Sequence, residues 1–99
     1  MSTRRILKYP LQSKPGSVAL TLPWGAQILH LDAQFGEPTL WISSDPQQRL
    51  PVDRKFVIFW TGQEFDDAQL QHIGTVPGCG TSEALVCHVF EIINGEPNL

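Results

Sequence analysis

Hydrophobic residues alternate with polar ones over long stretches of this chain. Val18, Leu20 and Leu22 occupy every second position, and in the stretch 29–35 the odd positions are hydrophobic while the even positions are polar. A period of two residues is typical of a β-strand that buries one of its faces. Both stretches are therefore predicted to be strands with one face in the core.

Three later segments carry hydrophobic residues on both faces. They are residues 40–42, 56–60 and 84–90, and strands of this kind usually lie in the centre of a sheet. Proline and glycine recur between the runs, which leaves little room for helices of ordinary length. The one helical candidate is the stretch 65–71, which follows Glu64 and is predicted to form a short helical segment.

These segments predict a fold made of strands. We place the strands near residues 4–9, 17–22, 26–34, 38–43, 54–61, 70–76 and 84–92. Short strands at this spacing are typical of a sandwich or barrel. We therefore predict an all-β chain in which residues 1–99 form a compact single-domain antiparallel β-sandwich or barrel of about seven short strands. The stretch 45–51 is predicted to be an exposed loop, and the tail 95–99 to be frayed.

Composition and charge narrow the class of protein. The chain has 99 residues, 41% of them hydrophobic, which suits one small domain. No apolar run approaches the roughly 18 residues of a membrane span, so we expect no membrane partner. The formal net charge of −3 argues against a nucleic-acid partner, since proteins that bind nucleic acids need a basic face. The start of the chain has no secretion-signal pattern, so we expect a cytoplasmic protein with Cys79 and Cys87 as reduced thiols.

The candidate reactive residues do not form a recognisable catalytic or metal-binding motif. His30 and Asp32 weakly resemble part of a cupin metal motif, but Asp32 stands where that motif has a second histidine. Cys87 and His88 are neighbours on one strand and therefore point to opposite faces. Cys79 lies between glycines on a predicted exposed turn, with no base at a known distance. We therefore predict no catalytic residue, no metal site and no cofactor.

Several residues remain as candidates for binding. Trp24 lies in a Pro-Trp-Gly turn, where it either caps the core or anchors a partner, whereas Trp41 and Trp60 are predicted to pack inside. Tyr9, His30 and His88 are polar-tipped residues within apolar strands. We predict that these three line a shallow shared site, provided that the first, third and seventh strands lie close together.

The order of several motifs resembles a family of small proteins that tailed bacteriophages and prophages encode. The resemblance extends over about residues 6–91 and rests on these segments: Lys8-Tyr-Pro-Leu11, Leu22-Pro-x-Gly-Ala26, Ile28-Leu-His30, Leu40-Trp41, Asp45-Pro46, Thr61-Gly62, Ile73-Gly-Thr-Val76 and His88-Val-Phe-Glu91. It implies a domain of unknown function expressed in the cytoplasm of the bacterial host, and it transfers no catalytic residues.

The resemblance and the residues together favour a protein that works by binding. We expect a non-enzymatic phage accessory protein that acts on a host protein or a small-molecule signal, as an inhibitor of antiviral defence. Such inhibitors include anti-CRISPR proteins and proteins that sequester a nucleotide signal. The alternatives are a small virion decoration or assembly protein and a small metal- or thiol-dependent enzyme. Because a small sandwich leaves edge strands free, we also expect a homodimer.

Overall fold

The chain folds into strands joined by turns and short loops. The computed structural model describes residues 3–12, 15–79 and 85–93, and this part of the chain contains no helix. Its strands are β1 (Arg5–Pro10), β2 (Gly16–Pro23), β3 (Gln27–Gln34), β4 (Glu37–Ser44), β5 (Pro51–Trp60), β6 (Leu70–Pro77) and β7 (Val86–Ile92). The all-β class and the seven predicted strands are confirmed. The tail predicted to be frayed lies outside the described residues.

The strands form two antiparallel sheets. The first sheet has the order β1-β4-β3 and the second the order β2-β5-β7-β6. They make a sandwich-like arrangement rather than a closed barrel. The central strands of the two sheets are β4, β5 and β7, which are the three segments with hydrophobic residues on both faces. That prediction is confirmed.

The core lies between the inner faces of the two sheets. Leu40 and Ile42 of β4, Phe56 and Ile58 of β5, and Val89 of β7 are all fully buried. Their alternate positions along each strand direct them to one side of the sheet, as strand geometry requires. The two outer faces are therefore the surfaces that remain for interactions.

The two open sides of the sandwich differ. On one side β3 approaches β6 so closely that a Cβ atom on Gly74 would lie 2.9 Å from Leu31 Cδ2. Because real Cβ contacts are almost never this short, glycine at this position allows the approach. On the other side β1 and β2 are the edge strands of their sheets, and a cleft lies between them.

A partly buried ion pair ties three segments together. Arg54 of β5 donates two hydrogen bonds to the carboxylate of Glu91 in β7, at 2.7 and 2.8 Å, and a third to the carbonyl of Ala26 at 2.8 Å. The hydrogen bond from Arg54 to Glu91 is the main reason that the pKa of Arg54 is raised above its ordinary value. The guanidinium therefore stays charged throughout the ordinary pH range.

The middle of β3 differs from the alternation that the sequence predicts. A β-bulge between Ile28 and His30 shifts the register, so Leu29 lies on the outer side and is 51% exposed. Phe35, predicted to share the buried face, is 96% exposed at the tip of the β3–β4 hairpin. Phe35 and Gly36 both have positive φ, 54° and 80°, which is the backbone of the two-residue turn that follows the twist of a hairpin.

The predicted helical segment is wrong. Phe65 to Asp67 have no regular structure, Ala68 and Gln69 form a turn, and Leu70 begins β6. Gln69 has a φ of 62°, which is incompatible with a right-handed helix. Phe65 packs instead on aromatic residues of the second sheet. Tertiary contacts therefore override the weak local helix preference.

The prediction of two reduced thiols is also wrong, because Cys79 and Cys87 form a disulfide. Cys87 pairs with Val76 in the β6–β7 ladder, and Cys79 follows the end of β6, so the two Cα atoms lie 6.4 Å apart. That separation is within the range that a disulfide spans. Both cysteines are fully buried, so Cys79 is not the exposed turn residue that the flanking glycines indicated.

Candidate functional site

An aromatic cluster covers part of the outer face of the second sheet. Phe59 of β5 and Phe90 of β7 point away from the core, because their neighbours Ile58 and Val89 are buried on the inner side. Phe65 from the loop 61–69 lies over them, with its ring 4.3 Å from that of Phe59 and 5.2 Å from that of Phe90. The outer face of a two-layer sandwich is ordinarily polar. A cluster of three phenylalanines there is not needed to fill the core.

The cluster leaves an open cavity, which we call the aromatic cleft. Its volume is about 220 Å³. An apolar cavity of roughly 150 Å³ accommodates benzene, so the aromatic cleft is large enough for one ring-sized group. Its lining residues are Phe59, Trp60, Thr61, Gly62, Gln63, Phe65, His88 and Phe90.

A chain of hydrogen bonds begins at Thr61 in the wall of the aromatic cleft, passes through His88 and Thr75, and ends at His72. His88 Nε2 lies 2.7 Å from Thr61 Oγ1, and His88 Nδ1 lies 3.1 Å from Thr75 Oγ1. The Thr75 hydroxyl in turn lies 3.2 Å from His72 Nε2. Because both ring nitrogens of His88 have hydroxyl partners, the imidazole is held at a fixed angle beside the aromatic rings. The Thr61 hydroxyl, which lines the cleft, keeps capacity for a further hydrogen bond to a bound group.

The loop that carries Phe65 is anchored at its start. Gln63 donates its backbone N–H to the carbonyl of Trp60 at 3.0 Å, and its side-chain oxygen accepts the backbone N–H of Trp60 at 3.1 Å. Gly62 has a φ of 94°, which favours glycine in this turn. Beyond it Glu64, Asp66 and Asp67 are exposed, as expected for a solvated acidic turn. The loop therefore adds an acidic rim beside an apolar cleft.

The reactive groups here are a hydroxyl and an imidazole. A threonine hydroxyl 2.7 Å from a histidine nitrogen is one part of a nucleophile–base arrangement. Hydrolases of the Ser-His-Asp type place a carboxylate behind the histidine, whereas His88 Nδ1 contacts the hydroxyl of Thr75. Within the described residues no group of three His, Cys, Asp or Glu side chains could hold a metal ion. The geometry therefore supports recognition better than it supports a named reaction.

The structure does not bring Tyr9, His30 and His88 into one site. In the first sheet β4 separates β1 from β3, and β7 belongs to the second sheet. Tyr9 packs against the core from the inner face, whereas His30 and His88 lie on the outer faces of different sheets. The predicted shared site is therefore wrong, because its condition that the three strands lie close together is not met.

The predicted binding residues have separate surroundings. Trp24 is 61% exposed in the β2–β3 turn and does not cap the core, so its reading as an anchor stays a prediction. His30 lies 5.7 Å from the ring of Trp41 and 3.6 Å from an oxygen of Asp32, in open solvent. Trp41 is thus on an outer face rather than inside as predicted, while Trp60 packs against the core as predicted.

The sequence analysis missed the phenylalanines of the aromatic cleft. Phe59 and Phe90 belong to segments whose two faces are hydrophobic, and that pattern was assigned to central strands alone. In a sandwich without helices nothing covers the outer face of a central strand except a loop. Outward-facing aromatic positions on central strands were therefore the signal for the site.

Comparison with known families confirms that the chain is a domain of unknown function, while the phage origin stays a prediction. A family model described as "Domain of unknown function (DUF7352)" matches residues 2–98. The chain belongs to the DUF7352 family. No curated protein and no solved structure matches it. Membership of DUF7352 confirms a domain of unknown function and assigns no ligand or partner. The described part of this DUF7352 domain has no helix long and apolar enough to cross a membrane.

Proposed function

We propose that this DUF7352 protein is a non-enzymatic binding protein whose partner inserts a ring-bearing group into the aromatic cleft. One observation carries the proposal: three phenylalanines and a hydrogen-bonded histidine surround a cavity of about 220 Å³ on an outer sheet face. Exposed aromatic rings beside a polar anchor are typical of binding sites. The cleft is too small for a whole drug-sized molecule, so the group is an anchor on a larger partner.

The residues that line the aromatic cleft indicate the shape and polarity of the group that it binds. A flat ring can stack on Phe65 or Phe90, and a polar atom at its edge can bond to the Thr61 hydroxyl that His88 orients. Aromatic pairs contribute about 0.5–1.5 kcal/mol beyond the area they bury. Tyrosine and tryptophan side chains and nucleobases have this combination of a flat apolar face and a polar edge.

The wider role is also part of the proposal. We infer that the protein is a phage accessory product that acts in the bacterial cytoplasm on a host protein or a small-molecule signal, and so inhibits antiviral defence. The motifs that resemble phage-encoded proteins support this origin. A rigid sandwich with one anchor cleft suits a protein that works by covering or capturing its target.

Binding to the cleft can be tested with indole and phenol as probes, followed by amide chemical shifts. We expect saturable shifts at Phe59, His88 and Phe90. Phe65→Ala removes one wall of the cleft and is expected to weaken probe binding about tenfold, which corresponds to about 1.4 kcal/mol. Phe35→Ala is the matched control, since it removes an exposed phenylalanine from the hairpin tip of the other sheet. Equal binding by both variants would contradict the proposal.

The cellular role needs a separate experiment. Tagged protein would be purified from infected bacteria, and the proteins and small molecules that accompany it would be identified by mass spectrometry. We expect a host component that Phe65→Ala loses and Phe35→Ala retains, and improved phage plating in hosts with the matching defence system. Stoichiometric recovery of the protein in purified phage particles would instead indicate a virion component.

A further inference from the structure

The free edge of β1 offers unpaired backbone groups. Leu11 donates its N–H to the carbonyl of Pro38 at 2.8 Å, in the same register as the β1–β4 ladder. Hydrogen-bonded pairs alternate along an antiparallel ladder, so Leu7 and Tyr9 bond to β4, while the N–H and C=O groups of Ile6 and Lys8 point away from it. Within residues 3–12, 15–79 and 85–93 no strand pairs with these four backbone groups of β1, so they are available to another strand.

A second cavity lies beside this edge, and we call it the edge cleft. It is about 310 Å³ in volume and lies between the edge strands of the two sheets. Leu7 and Tyr9 of β1 and Leu22 of β2 line its walls, with Leu50 from the loop before β5 at its mouth. Leu50 is exposed although it is a large hydrophobic residue. The edge cleft shares no lining residue with the aromatic cleft.

The edge cleft is basic although the chain as a whole is acidic. Arg5 and Arg49 line it, and its lining includes no Asp or Glu. Neither arginine has an ion-pair partner among the described residues. Arg49 donates one hydrogen bond to the carbonyl of Pro46, which leaves its other N–H groups free. Asp53 is the neighbouring carboxylate, and it accepts a hydrogen bond from the hydroxyl of Thr21, which itself lines the cleft.

We propose that the edge cleft binds an acidic peptide segment of another protein, which adds to β1 as an extra antiparallel or parallel strand. The free groups of Ile6 and Lys8 would form the ladder, since strand addition depends on main-chain hydrogen bonds. Acidic side chains of the segment would pair with Arg5 and Arg49, and an apolar side chain would enter between Leu7 and Leu50.

The basic residues and the free strand edge together favour an acidic peptide over two other occupants, a second copy of the chain and a nucleic acid. The strand β1 contains Arg5 and Lys8 and no acidic residue, so a second copy pairing through β1 would supply no opposite charge, and like charges close together are destabilising. A nucleic acid would satisfy the arginines through phosphates, but it has no backbone amides to continue the strand ladder. An acidic peptide satisfies both the charges and the edge.

The test uses an acetylated eight-residue peptide that alternates Glu with Val, labelled for fluorescence anisotropy. We expect saturable binding, with amide shifts at Ile6 and Lys8. The same peptide with Lys in place of Glu is expected to bind at least about tenfold more weakly. N-methylation of alternate residues, which removes the ladder N–H groups, is expected to abolish binding.

Variants of the protein locate the site. Arg5→Glu and Arg49→Glu are each expected to weaken peptide binding about tenfold. Lys55→Glu is the matched control, because Lys55 is exposed on the outer face of the second sheet, away from the edge cleft. Equal loss with Lys55→Glu, tight binding of the Lys peptide, or displacement by single-stranded RNA with no shift at Ile6 would each overturn the proposal. Failure of indole binding would contradict the proposed function and leave this result unaffected.

Discussion

Single residues decide where this sandwich is held together. Arg54 joins β5 to β7 and to the carbonyl of Ala26 through charged hydrogen bonds. Cys79 and Cys87 join the end of β6 to β7. Both the Arg54–Glu91 ion pair and the disulfide connect strands of the second sheet, which also carries the aromatic cleft. The aromatic cleft therefore lies on a sheet that carries both an ion pair and a disulfide.

The disulfide is expected to contribute measurably to stability. Replacing Cys79 and Cys87 together by alanine is expected to lower the free energy of unfolding by about 2–3 kcal/mol, since the bond closes a short loop in the unfolded chain. The thermal midpoint would be measured with and without dithiothreitol. We expect the reductant to lower it in the wild-type protein and to leave the double variant unchanged.

Titration of free thiols is the measurement that can contradict the disulfide between Cys79 and Cys87. If denatured wild-type protein that was never exposed to reductant shows two free thiols, the disulfide is absent. Disulfides persist mainly in oxidising compartments, so this measurement also bears on the cytoplasmic location, which stays a prediction.

At the scale of strands and turns, pairing between strands sets the local backbone geometry. In β3 a bulge at Leu29 turns two successive residues outward, and the strand then returns to its alternation at Leu31. The turn that follows places Phe35 in the left-handed region, where asparagine or glycine is ordinarily preferred. Local geometry at this hairpin is thus set by tertiary pairing with β4 rather than by residue preference.

The positive φ of Phe35 strains the hairpin, and we predict that a residue better suited to this conformation stabilises the protein. Phe35→Asn is expected to raise the free energy of unfolding by about 1 kcal/mol, because asparagine adopts positive φ more readily and Phe35 is 96% exposed. Urea denaturation measures the change. Phe35→Val is the control and is expected to destabilise the protein, since β-branched residues tolerate this conformation poorly. A loss of stability in Phe35→Asn would mean that the phenylalanine makes a contact that stabilises the fold.

The strands could be predicted from the sequence because alternate residues of a strand face the core, so hydrophobic and polar residues alternate along the chain. Central strands followed from residues such as Ile58, whose neighbours Val57 and Phe59 are also hydrophobic. The bulge at Leu29 could not be predicted, because one inserted residue leaves no mark in composition. The approach of Cys79 to Cys87 depends on the β6–β7 register, which sequence spacing does not contain.

The candidate site was predicted only in part. The sequence analysis selected His88 because it is a polar-tipped side chain within an apolar strand, and the structure places it in the wall of the aromatic cleft. Its true neighbours, Thr61 and Thr75, come from a turn and from another strand. Tyr9 and His30 were grouped with it because the sheet order was unknown. Away from the bulge at Leu29 and the hairpin tip at Phe35, the residues that share a face could be predicted, but which strands are neighbours could not.

At the scale of the whole molecule, charge is distributed unevenly. Arg5 and Lys8 lie on the free edge of β1, while Glu64, Asp66 and Asp67 lie in the loop beside the aromatic cleft. The free edge of β2 carries Ser17, Ala19 and Thr21, which are uncharged. Copies of the chain would therefore meet with less repulsion through β2 than through β1.

This difference gives a prediction for the homodimer. We expect two copies to pair through β2, where the N–H of Ala19 points away from β5 according to the ladder register. Ala19→Pro removes that donor without breaking a bond inside the protomer, and it is expected to yield a folded monomer. Size-exclusion chromatography with light scattering measures the mass. A wild-type protein that stays monomeric at high micromolar concentration would show that the expectation is wrong.

The glycine contact between the sheets has a mechanical consequence. Because Leu31 packs directly on Gly74, the two layers touch along one side, and the edge cleft separates them along the other. A larger residue at Gly74 would have to displace the end of the Leu31 side chain or widen the spacing of the layers on this side. We expect a wider spacing there to alter the width of the edge cleft, although neither Gly74 nor Leu31 lines it.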